Sequence, residues 1–200
     1  MSEGGITYTP AEFNTIVTML GFICALIQFV TGWYAAYRKK KIGMLKTNDI
    51  LFRAHRAFGG FATTLYFLGL FAGITGFIGA LFFNIPPLEL NDLSFLIHVI
   101  GSFPIFGIIT YKTYLSYFKK PKIYKRGKWL GVATFIAWAF TWITSAFSYY
   151  LRTLPSNPQH PPPTYLLPFE LFWLQLMYPF GIGLLIGWVI IRKASQKEKK

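Results

Sequence analysis

Cysteine and acid are both scarce in this chain. Cys24, the single cysteine, lies inside an apolar run, which excludes a disulfide framework and a cysteine-based metal site. Seven aspartates and glutamates stand against twenty lysines and arginines, and none of the seven lies deep inside an apolar run. Paired carboxylates within a membrane, the usual furniture of ion and proton pathways, are therefore missing, which counts against a small transporter. Charged residues make up 14% of the sequence, against about a quarter in an ordinary soluble domain. Also missing are an internal repeat, a glycine-rich phosphate loop, an HExxH helix and a Ser-His-Asp set.

What the chain has instead is 54% hydrophobic and 20% aromatic residues, gathered into five runs at 13–37, 57–83, 93–111, 129–151 and 169–191. Each is long enough to cross a hydrocarbon core of about 30 Å at about 1.5 Å per residue. The first run is longer than a signal-peptide core and has no small-residue cleavage pattern before Arg38, so it reads as a retained helix. Nineteen of the twenty basic residues fall in three places: between the first and second runs, between the third and fourth, and after the fifth. Only Arg152 falls on the other side. By the positive-inside bias the amino terminus lies outside and the carboxyl terminus in the cytoplasm. The expected fold is an all-α integral membrane bundle of five transmembrane helices, a single domain over residues 1–200 of a multi-pass cell-membrane protein. It has a proline-rich outer loop at 153–168 and a basic tail at 192–200. The net charge of +13 sits beside span ends, where it meets anionic lipid headgroups; no loop is long enough for a fold that reads nucleic acid.

Local signals refine the ends. Thr9-Pro10-Ala11-Glu12 is a capping box that starts the first helix near residue 10, and Thr47-Asn48-Asp49 starts the second a turn or two before its apolar run. Pro86-Pro87 stops the second helix, and Asn91 and Asp92 can cap the third. Pro104 and Pro179 predict kinks, and neighbouring helices or Ser102 could satisfy the carbonyl that Pro104 frees. Lys119-Lys120-Pro121-Lys122 reads as the second cytoplasmic loop. The six prolines between Pro155 and Pro168 predict an extended, polyproline-like strap that could also dock on a partner subunit.

Two histidines are associated with the spans. His98 stands about five residues into the third, with Ser102 one turn further on the same side. An ionisable group at such a depth predicts haem ligation, metal ligation or quinone hydrogen bonding; the alternative is a neutral imidazole satisfied by another helix. His55 stands at the cytoplasmic edge of the second span between Arg53 and Arg56. It reads as interfacial, although His55 with Arg56 could hold a haem propionate or a quinone headgroup. The rise of a helix separates the two histidines by on the order of 20 Å, too far to be two axial ligands of one haem. Gly69 and Gly73 form a small-xxx-small pair that favours close packing. Lys112 is placed to snorkel to the headgroups, and His160, in the strap, to be solvated.

Ala54-His55-Arg56 opening the second span, His98 early in the third, and Trp129, Thr144 and Tyr149-Tyr150 in the fourth resemble a family of uncharacterised four-helix membrane proteins of bacteria and archaea. That family is linked to cytochrome oxidase and its assembly. More loosely, these residues are similar to cytochrome b561-like bundles. The resemblance covers about residues 21–152 and its motifs are short. It implies histidine pairs near each membrane face holding haem or metal. Here the chain departs from it: residues 76–84 contain no histidine to accompany His98, and residues 124–129 offer Lys125, Arg126, Gly127 and Lys128 where a partner for His55 would stand. The expected function is a b-type-cytochrome-like membrane subunit in electron transfer with quinone or a respiratory oxidase, with haem b or quinone touching His98, His55, Ser102 and Arg56. The alternative is a non-catalytic accessory or assembly subunit with no cofactor of its own, bound to other subunits of a membrane complex.

Overall fold

A computed structural model of the chain describes residues 10–38, 50–82, 93–156 and 162–197. Every regular element among them is helical. The long helices are α1 (Pro10–Tyr37), α2 (Ile50–Phe82), α3 (Leu93–Phe118), α4 (Lys120–Ser148) and α5 (Phe172–Lys197). All five are long and apolar enough to cross a membrane. The capping residues Thr9, Thr47, Asn48, Asp49, Asn91 and Asp92, the Pro86-Pro87 stop and His160 lie outside the described residues. At one end of the bundle α1 and α3 begin; we call it the amino end. At the other, the basic end, α1 stops beside the start of α2 and the last turns of α5.

The five helices are not equivalent. More than half of the apolar window of α1 is buried within the protein, whereas only about a tenth of that of α3 is. α1 is the axial helix, packed by α2, α4 and α5, and α3 rests mainly on α4. Between apolar spans in lipid there is no hydrophobic gain from association, so close packing and interhelical hydrogen bonds must hold them. The sequence supplies both. Gly21 of α1 receives the indole of Trp138, whose Cη2 lies 2.1 Å from where a Cβ would stand, and Gly183 of α5 receives Leu26. Around these notches an aromatic core forms, with Phe22 edge-on to Phe180 at 4.5 Å between centroids and Phe29 stacked on Phe135 at 4.6 Å. Trp138, Trp142, Tyr149 and Tyr150 complete it, all fully buried.

Several local expectations change. The loop read at Lys119-Lys120-Pro121-Lys122 shrinks to Lys119, the one non-helical residue between α3 and α4. Pro121 sits in the first turn of α4, where a missing N–H costs nothing. At the far end of α4 the helix widens into a π-helical turn, Tyr149–Thr153, and adds a last turn, Leu154–Ser156, so the start of the supposed extended strap is helical. Pro104 and Pro179 both stand inside continuous helices. Ser102 does not serve the carbonyl freed by Pro104: its Oγ donates to the carbonyl of His98 at 2.6 Å.

The later part of the strap is tied to its own bundle. Tyr150 donates its hydroxyl to the Leu167 carbonyl, the Leu167 N–H donates to Gln175 Oε1 at 2.8 Å, and Tyr178 donates to the Tyr165 carbonyl at 3.1 Å. Leu166 is buried beneath it. Two of these bonds use the buried side chains of Tyr150, in the π-helical turn, and Gln175 of α5, which would otherwise be stranded in the apolar region.

Candidate functional site

The contacts of His98 and His55 with α1 form two polar layers, one toward each end, with the aromatic core between. At the amino end, His98 of α3 is bracketed by α1 and α4. Its Nδ1 lies 2.9 Å from Thr144 Oγ1, and its Nε2 lies 3.4 Å from Asn14 Nδ2. The Thr144 hydroxyl donates to the Phe140 carbonyl at 2.8 Å, so it accepts from the imidazole; Nδ1 then carries the proton and Nε2 accepts from the Asn14 amide. That amide also reaches Ser145 Oγ at 3.5 Å, and Ser145 lies 3.3 Å from Thr15 Oγ1. Below the imidazole, Tyr66 of α2 donates to the Ser102 carbonyl at 3.4 Å. Nearer the helix ends the Tyr149 hydroxyl donates to Oε1 of the buried Glu12 at 3.5 Å.

The basic-end layer is built on Gln28. His55 of α2 donates through Nδ1 to the Gln28 carbonyl at 2.9 Å and lies 3.3 Å from the Thr31 hydroxyl. Thr31 itself donates to the Ile27 carbonyl at 2.7 Å, the usual resort of a hydroxyl in an apolar helix. The side-chain oxygen of Gln28 accepts from Lys112 Nζ at 2.7 Å, joining α3 to α1. Two glycines make room: Gly59 lies against the Gln28 amide, and Gly32 against the His55 ring. Among the described residues, every buried side-chain nitrogen or oxygen has a hydrogen-bond partner.

The candidate residues thus fall into separate places. Asn14 and Gln28, the α1 partners of the two layers, stand fourteen positions apart, about 21 Å at 1.5 Å per residue. Ser102 shares a helical turn with His98 but spends its hydroxyl on the backbone. Arg56 is exposed, its guanidinium 5.7 Å from the Phe52 ring centroid, while the neighbouring His55 turns inward to α1. Lys112 reaches into the bundle to Gln28. The residues that sequence reasoning passed over are Asn14 and Gln28 of α1, with Thr31. A signal for them existed: Asn14 and Gln28 are the only amides in the first apolar run, and they repeat at a multiple of seven.

Both ring nitrogens of His98 are engaged in this structure, by Thr144 and Asn14, so an axial bond from Nε2 to a haem iron would have to displace the Asn14 amide. Among the described residues no three side chains of histidine, cysteine, aspartate or glutamate come together as a metal site. Chemically, each layer can fix the register of its helices, and the basic-end layer can also hold a cation within the bundle. In comparisons with family models, curated proteins and solved structures, the chain matches none.

Proposed function

We propose that the chain is a non-catalytic subunit of a larger complex of the cell membrane, crossing it five times with its amino terminus outside. The observation that carries this reading is that the ring nitrogens of His98, the residue best placed for cofactor chemistry, are spent on Thr144 and Asn14. Its polar interior then serves to position helices, and its broad apolar exterior meets lipid and neighbouring subunits. The orientation rests on the basic residues at one end of the bundle.

One observation favours a second reading. Histidines that ligate metal commonly donate their other ring nitrogen to a backbone carbonyl, and His55 makes such a bond to Gln28. On that reading the chain is a b-type-cytochrome-like electron-transfer subunit, with a haem or quinone near His55 and the second axial ligand supplied by a partner.

One preparation tests both. Tagged chain is isolated from haem-replete membranes in mild detergent and followed by native gel mobility and visible absorption. Co-migration with other subunits, with no Soret band in the chain once it is separated from them, is the expected result. A chain that migrates alone would overturn the subunit reading. A Soret band that stays with the separated chain and is lost in His55→Ala would establish the second.

A further inference from the structure

Where α1 and α5 part at the basic end, they leave an open groove of about 490 Å³, lined by Phe29, Val30, Trp33, Tyr34, Tyr37 and Ile191. Its volume falls in the range of about 300–1,000 Å³ typical of small-molecule clefts. From Phe29 to Tyr37 the groove runs about 12 Å along α1, from the membrane interior toward its surface. Its floor is fixed: Val30 packs on Gly187 just inside it, and the Tyr34 hydroxyl is 2.8 Å from Ser195 Oγ of α5.

The mouth is cationic. Arg38, the residue after Tyr37, lays its guanidinium 5.8 Å from the ring centroid of Tyr34, a lining residue. Arg192, the residue after Ile191, does the same over Trp188 at 5.3 Å. Both arginines and Lys193 are exposed. Among the described residues the acids are Glu12 and Glu170, both toward the amino end. An apolar, aromatic-walled slot ending at cations that meet no acidic side chain among the described residues matches an amphiphile with an acyl chain and an anionic head. A second copy of this chain would bring the same cations face to face and fits less well.

We propose that this groove holds one anionic phospholipid, its acyl chain along Phe29, Val30, Trp33 and Ile191 and its phosphate at the level of Arg38 and Arg192. Native mass spectrometry of the full chain in detergent, titrated with phosphatidylglycerol or with phosphatidylcholine of the same acyl composition, tests it. The expected result is one retained phosphatidylglycerol, held about tenfold more strongly than phosphatidylcholine. The double variant Arg38→Gln/Arg192→Gln should lose most of that preference, while Arg38→Lys/Arg192→Lys keeps it. Equal retention of the two lipids, an unchanged preference in the glutamine variant, or a dimer in place of the lipid adduct would overturn the proposal. Should the glutamine variant fail to fold, as judged by gel filtration, the wild-type preference at low and high salt decides. Screening must reduce it, and a salt-independent preference would equally overturn the site.

Discussion

The two polar layers solve one problem in different ways. At the amino end every polar partner of His98 is a hydroxyl or an amide, and the carboxylate of that layer, Glu12, meets Tyr149 rather than the imidazole. At the basic end a glutamine side chain accepts from a lysine, and a backbone carbonyl of the same glutamine takes the histidine. Dispensing with one neutral bond leaves a weakly polar gap. Dispensing with the lysine's acceptor leaves an ammonium inside the bundle. The comparison teaches that depth and residue type do not fix the cost of a buried polar group; what its partner leaves behind does.

That difference can be broken experimentally. The largest effect is expected for Gln28→Leu, which strips Lys112 of its acceptor. Lys112 lies six residues short of Phe118, about 9 Å from the helix end, so its side chain must stretch to reach water. A loss of about 2 kcal/mol in detergent unfolding is expected, most of it restored in Gln28→Leu/Lys112→Leu. No recovery in the pair would show that the lysine is not what Gln28 answers. Next is Gly59→Ala, whose Cβ would stand 2.1 Å from the Gln28 amide nitrogen. That side chain is flexible but is held by Lys112, so a loss of about 1 kcal/mol is expected, and it should vanish in a Gln28→Ala background.

At the amino end the effects shrink. Asn14→Leu should cost only about 0.6 kcal/mol, the average for a hydrogen bond between membrane helices. A loss as large as that of Gln28→Leu would make the two layers equivalent and undo the contrast. Smallest is Gly69→Ala, whose Cβ would meet Asn14 Oδ1 at 3.2 Å and need only a shift of a few tenths of an ångström. Unfolding midpoints within experimental scatter of the parent are expected there.

How far the sequence reveals this molecule depends on the physics of each part. Five spanning helices are legible because hydropathy and length decide them almost alone, as the runs at 13–37 and 57–83 illustrate. Helix ends were less so. Pro121 looks like a loop residue, yet it opens a helix, since a proline in the first turn and one in a turn share the same local geometry. Ser102 was legible as a neighbour of His98 but not in its bond, because a hydroxyl in a helix can turn to either of two carbonyls. The partners of the histidines were hidden for a different reason. Asn14 meets His98 across 84 positions of sequence, and only tertiary packing says which of several buried polar groups will face an imidazole.

The bonds that α3 makes to α1 have one more consequence. Asn14 and Gln28 are fourteen positions apart on one helix, and His98 and Lys112 are fourteen positions apart on the other. Both helices run from the amino end to the basic end, so equal spacing gives equal rise. The lightly packed α3 is thereby pinned at two heights by a matched gauge: a slide of a single residue, about 1.5 Å, would unseat both pins together. Apolar faces in lipid tolerate such slippage, and these two polar contacts give the helix a single vertical setting.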